Sequence, residues 1–190
     1  MEIRISKPNE ICEEYLSQII DLIVKGGQIR SDKHGIRELI LLADFIAYKL
    51  NNEVVICTAT LKNPYLEYRE KVFNLAGVKS DHTFIKELGY IVTHPDFENQ
   101  GHCQSLLGSF FRLISHNSIY ATTRKLSMIH ILNKHGFLQT GTTYNNDLNL
   151  LIYNSQEDDS ENIQSGNENY LEYKSFQLPN AFSFPQEITI

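Results

Sequence analysis

Residues 87–111 read ELGYIVTHPDFENQGHCQSLLGSFF, and the succession of residue types along them decides the fold. Ile91 and Thr93 alternate with Tyr90 and Val92 in a β-favouring run. His94-Pro95-Asp96 ends that strand, because proline has no N–H to give to a ladder. From Cys103 onward the apolar residues are Cys103, Leu106, Leu107, Phe110, Phe111 and Ile114. Spacings of three and four place all six on one face of a helix. Between strand and helix lies Glu98-Asn99-Gln100-Gly101-His102-Cys103-Gln104, a polar loop that opens directly into the helix.

Such a junction has a chemical use. The first N–H groups of a helix lack intrahelical partners and sit at the positive end of its macrodipole. A glycine at that point lets a phosphate approach the main chain, so strand, glycine loop and helix together form an anion cradle. One glycine in a β-to-α connection is equally well an ordinary turn, and the rest of the chain has to decide.

At 190 residues, with 42% apolar and 21% charged residues, the chain suits one globular domain with a substantial core. No apolar run is long enough to span a membrane, and MEIRISKPNE lacks the pattern of a secretion signal. Cys12, Cys57 and Cys103 are far apart in sequence with apolar neighbours, which predicts buried thiols in a reducing cytoplasm. The seven histidines show no helical pairing with carboxylates, so no metal site is expected. Residues 154–190 carry seven acidic side chains against Lys174 alone, and this accounts for the whole net charge of −6. A neutral body with an acidic tail speaks against nucleic-acid binding.

Residues 2–6 predict a strand, and Ile11, Tyr15, Ile19, Leu22 and Ile23 mark a helix ending at Gly26-Gly27. A shorter helix follows around Ile36–Ala43, then strands over Phe45–Leu50 and Val54–Leu61 joined by the turn pair Asn51-Asn52. Residues 62–82 read as a long connection with a helical turn around Glu67–Leu75. After the central strand and helix come a strand at Ile119–Thr123, a short helix closed by Gly136, and strands over Phe137–Tyr144 and Leu148–Tyr153. The expected class is α/β, with helices on both faces of a mixed β-sheet of about seven strands. The domain spans 1–153. Residues 154–190 form an acidic, partly disordered tail with an aromatic end.

Element order and motif together resemble the GNAT acetyltransferase superfamily over about residues 1–153. That family's signature, Arg/Gln-x-x-Gly-x-Gly/Ala behind a hydrophobic-His-Pro, is matched by Thr93-His94-Pro95 followed by Glu98-Asn99-Gln100-Gly101-His102-Cys103. Lys134-His135-Gly136-Phe137 is similar to the Gly-Phe that ends the family's last helix. Glu98 and Cys103 depart from the pattern, but neither removes a backbone donor. The resemblance implies acetyl-CoA as co-substrate and an amine-bearing acceptor, with no metal. Ile91 and Thr93 would pair through their main chains with the pantetheine arm, and the amides of Asn99, Gln100, Gly101, His102, Cys103, Gln104 and Ser105 would hold the pyrophosphate.

Acetyl transfer requires that an amine lose its proton and that a thiolate gain one. Glu87, four residues before Ile91, stands where the histone-acetyltransferase branch carries its catalytic Glu; a strand-edge acid facing solvent is the other reading. Alternation along the strand puts Glu87 on the face of Gly89 and Ile91. The family tyrosine that protonates the thiolate is replaced by Leu132, and Ser127, His130, His135 and Tyr144 are left as candidates. Tyr65, Tyr68 and Arg69 either cover the acceptor pocket or only the sheet. His94 is expected at the strand end in a structural role, and His102 on the exposed side of the helix start. A transferase is the leading expectation, a non-catalytic acyl-CoA-binding or regulatory module its rival, and a homodimer is left open.

Overall fold

The structure, a computed structural model, describes residues 1–26, 33–79 and 83–155. The expected tail lies outside the described residues apart from Asn154 and Ser155, as do Gly27 and part of the 62–82 connection. Seven strands are described: β1 (Glu2–Ser6), β2 (Phe45–Asn51), β3 (Val54–Lys62), β4 (Lys86–Thr93), β5 (Ile119–Thr123), β6 (Leu138–Tyr144) and β7 (Leu148–Tyr153). They form one sheet in the order β1-β2-β3-β4-β5-β7-β6, antiparallel at every junction but β4–β5. The helices are α1 (Glu13–Lys25), α2 (Lys33–Leu41), α3 (Leu66–Leu75), α4 (His102–Ile114) and α5 (Leu126–Lys134). None of them is long and apolar enough to cross a membrane.

Strand alternation sorts the helices. Ala47, Cys57, Ala59, Leu61, Leu88, Ile119 and Ala121 turn to one face, where they meet Leu106, Leu107 and Phe110 of α4 and Leu132 of α5. Ile46, Tyr48 and Leu50 turn to the other face and are covered by Ile19, Ile20 and Ile23 of α1 with Ile36 and Ile40 of α2. Farther along that second face, Val72 and Phe73 of α3 cover Tyr120, Tyr144 and Leu150. Helices on both faces of a mixed sheet are the architecture the sequence predicts.

Two differences from the sequence reading have local causes. The 62–82 connection contains a full ten-residue helix, α3, whose buried residues are Arg69, Val72 and Phe73, while Leu66, Tyr68 and Leu75 are exposed among its polar residues. Its periodicity is faint because a buried arginine interrupts the apolar stripe. The β2–β3 turn is Asn52-Glu53, with φ of 47° and 63°, so Asn51 still belongs to the ladder opposite Val54. Asparagine tolerates that left-handed backbone well, and the turn follows the first asparagine by one position.

Candidate active site

The site is built on an interruption in β4. Thr58 pairs with Val92 and Thr60 with Gly89, so the single residue Ala59 faces both Tyr90 and Ile91. This is a β-bulge, and Tyr90 takes φ of 48° to make it. The extra residue reverses the alternation. Leu88 and Ile91 both pack on the α4 side, and Tyr90 and Val92 on the α1 side. Ile91 is therefore on the opposite face from Gly89, contrary to the simple alternation expected from sequence.

The bulge also bends β4 away from β5. The two strands pair only at Lys86 with Ile119 and Glu87 with Tyr120. Beyond Glu87 the β5 side of β4 has no strand partner among the described residues. His94 donates its N–H to the Ile56 carbonyl of β3 at 2.8 Å, which makes Thr93 and Cys57 a pair without ladder bonds of its own. The main chain of Thr93 accordingly turns toward the open side, and Ile91, two residues back, turns with it. Together they offer a short free strand edge.

At the mouth of this opening stands the start of α4. Gly101 is its N-cap with φ of 77°, and nothing lies within 4 Å of where a Cβ would be. Only glycine adopts that backbone without strain and leaves that space clear. Glu98 donates its N–H to Pro95, and Ser105 donates its N–H to Gly101 at 3.0 Å. Between them, the amides of Asn99, Gln100, Gly101, His102, Cys103 and Gln104 make no hydrogen bond among the described residues. The run of free donors thus stops one residue before Ser105. Glu98 is exposed.

The Ser105 hydroxyl has a different part. It donates to the His102 carbonyl at 3.0 Å and receives a hydrogen bond from Lys49 Nζ at 2.8 Å. Lys49 comes from β2 and is 9% exposed. Its charge adds to the helix dipole at the first turn. The sequence analysis did not single out Lys49, and a lysine inside a strand pattern carries no signal of where it reaches.

His94 is structural, as expected: its Nδ1 accepts the Asp96 N–H at 3.3 Å, and its ring meets Phe97. His102 is buried instead of exposed, its ring 6.0 Å from that of Phe97. Cys103 and Cys57, far apart in sequence, pack in one cluster, and Cys57 Sγ lies 3.2 Å from Thr93 Oγ1. The Cys57 thiol and burial both push the Cys103 thiol upward. Cys12 is exposed just before α1, not buried.

On the other face of β4, Glu87 is 3% exposed. Its Oε2 accepts from Lys62 Nζ at 2.7 Å, and its Oε1 from Thr122 Oγ1 at 3.4 Å. Lys62 faces Glu87 in the ladder and runs across Gly89, where a Cβ would come within 2.8 Å of the lysine Cδ. The Lys62 ammonium lies 4.6 Å from the Tyr90 ring centroid and 5.8 Å from that of Tyr68. Tyr68 is 43% exposed, and the charge of Glu87 followed by burial raises its hydroxyl above the usual phenol range. Burial, then Glu87, does the same to Tyr120, and Tyr144 is pushed up to about 12 by the same causes.

Of the residues considered for proton donation, Tyr144 is buried on the Glu87 side with its hydroxyl unpartnered, whereas Ser127 and His130 are exposed. His135 stacks on Phe111 at 4.7 Å, and burial lowers its pKa. Tyr65 is exposed ahead of α3, and Arg69 is buried. Among the described residues no cluster of His, Cys, Asp or Glu is arranged to hold a metal.

No protein-family model matches this sequence, and no curated protein matches it. Solved structures do. An acyl-CoA N-acyltransferase from Pseudomonas aeruginosa superposes with a TM-score of 0.60 at 12% identity, over 80% of this chain and 99% of its own. A GNAT-family acetyltransferase from Streptococcus agalactiae gives 0.59 at 16% identity, over 80% and 94%. The chain has the GNAT fold. The Escherichia coli ribosomal-protein-S18-alanine N-acetyltransferase shares it too, with a TM-score of 0.58 at 12% identity over 90% of this chain and 100% of its own. Identities this low establish the GNAT architecture alone, so substrate and chemistry have to be argued from the residues of the split in the sheet.

Proposed function

We propose that the protein is an acetyl-CoA-dependent N-acetyltransferase that moves the acetyl group to an amine by direct attack. The observation that carries this reading is the coincidence of two features in one opening: unbonded amides from Asn99 to Gln104 at the head of α4, and the unpaired edge of β4 at Ile91 and Thr93. The first suits a diphosphate, which backbone donors and a helix dipole bind without side chains. The second suits the amide-bearing pantetheine arm, which can lie along a strand edge as an added strand. The clear space over Gly101 admits the phosphates to the main chain. When bound, acetyl-CoA supplies the activated acyl group as its thioester.

Glu87 is the proposed general base. A buried carboxylate, paired with Lys62 at 2.7 Å, can take the proton of an incoming ammonium, directly or through water. The Ile91 main chain, on the open edge, is placed to donate to oxygen on which charge develops. Tyr144 keeps its proton at neutral pH and is the proposed source of a proton for the departing thiolate.

Two measurements test this reading. Calorimetry with CoA and acetyl-CoA reports whether the cradle binds, and release of free thiol across a panel of amines reports turnover. Micromolar binding with amine-dependent thiol release is the expected result. Binding without turnover on any amine would identify a non-catalytic acyl-CoA module, and no binding would end both readings.

A further inference from the structure

Resting on the transferase reading, we infer that the acceptor carries a carboxylate next to its amine, seated on Arg69 with the hydroxyl of Tyr120. Arg69 projects from the inward face of α3, one turn before Phe73, whose ring meets that of Tyr120 edge-on at 5.3 Å. It is 7% exposed, makes no ion pair or side-chain hydrogen bond among the described residues, and its Nε is buried without a partner. Tyr120 lies close enough to feel its charge, and that hydroxyl is likewise buried and unpartnered. Buried polar groups are nearly always hydrogen-bonded, and exceptions that gather in one place mark a ligand's position.

Charge balance points the same way. Glu87 and Lys62 cancel one another at 2.7 Å. Arg124, just past the end of β5, donates to the carbonyls of Asn145 and Asn146. Among the described residues Arg69 is left as a buried cation with no counter-ion, which is costly unless an anion arrives. A guanidinium offers a planar fork that fits a carboxylate in two parallel bonds. Tyr120 stays protonated at neutral pH, so its hydroxyl is a donor. The cofactor's phosphates do not compete for this seat, because the α4 cradle lies on the opposite face of the sheet. An amino acid enters as a zwitterion. Once its ammonium has given a proton to Glu87, the attacking form is a net anion that balances Arg69.

The test compares matched acceptors with the full chain and acetyl-CoA: lysine against cadaverine, phenylalanine against phenethylamine, and O-phosphoethanolamine as a phosphate-bearing amine. The acids should exceed their decarboxylated partners by about a hundredfold in kcat/KM, the size expected for losing the partner of a buried charge. Arg69→Gln should collapse that ratio to near one, and Arg69→Lys should restore part of it. A second readout needs no turnover: Arg69→Met should unfold at a higher urea concentration than the parent chain, since it removes an uncompensated buried charge. Equal rates on acids and plain amines would overturn the inference while leaving the transferase intact. Preference for O-phosphoethanolamine would replace the carboxylate by a phosphate, and a loss of stability in Arg69→Met would make Arg69 structural. Failure to turn over any amine would remove the transferase reading, and this one with it.

Discussion

The ammonium of Lys62 and the carboxylate of Glu87 face each other across the β3–β4 ladder at 2.7 Å, 18% and 3% exposed respectively. Removing one partner of a buried pair strands the other. Lys62→Met should therefore lower stability by about 3 kcal/mol, and adding Glu87→Gln should recover most of the loss. Urea unfolding of the single and double variants checks this; a double variant no more stable than Lys62→Met would show that the two residues do not act as a unit.

Glu87→Gln keeps the shape of the side chain and removes its basicity. Turnover should fall by about 10²- to 10⁴-fold, the usual share of a positioned base. Affinity for CoA should stay the same, because the phosphate cradle lies on the other face of the sheet. Steady-state rates and calorimetry on the same preparation separate the two quantities. An unchanged rate would take Glu87 out of the mechanism.

Gly101 holds φ of 77° at the head of α4 with clear space above it. Valine there is strained by roughly 1–3 kcal/mol and carries two methyl groups into the approach to the free amides. Gly101→Val should cost at least tenfold in CoA affinity, about 1.4 kcal/mol, with the circular-dichroism spectrum preserved. A folded variant with parental affinity would contradict the cradle.

The three thiols offer a probe that needs no mutation. Cys12 is exposed, Cys103 half-buried in the first turn of α4, and Cys57 buried. Iodoacetamide should modify Cys12 quickly and Cys103 slowly, since the Cys103 thiol is held protonated. Cys57 should react only on unfolding. Saturating CoA should protect Cys103 and leave the Cys12 rate unchanged, read by intact mass and peptide mapping. Equal rates at Cys103 with and without CoA would separate the bound molecule from α4.

Much of the frame is legible in the sequence because it rests on local rules. The spacing of Leu106, Leu107, Phe110 and Phe111 defines α4, and Gly136 takes the left-handed backbone expected of a glycine that closes a helix. The bulge at Tyr90 is not legible, because no local rule calls for a tyrosine at positive φ. It follows from how β3 and β4 register over their whole length. It also explains why a parity count from Glu87 to Ile91 misplaces Ile91. Charged residues inside apolar patterns are the other blind spot. Nothing local marks Lys49 or Lys62 as buried, and Arg69 reads only as covering the acceptor pocket or the sheet; their surroundings come from residues 25 or more positions away, Ser105 for Lys49, Glu87 for Lys62, and Tyr120 near Arg69.

The junction of β4 and β5 amounts to two residue pairs, the narrowest seam in the sheet. Two leaves, β1 to β4 and β5 to β7, are sewn together there and otherwise by the helices that lie across them. Whatever fills the gap acts as a rivet, adding backbone bonds where the protein supplies none. The empty protein should breathe along that line, its amide hydrogens at Ile91 and Thr93 trading quickly with deuterium, and the loaded one should melt as a single piece.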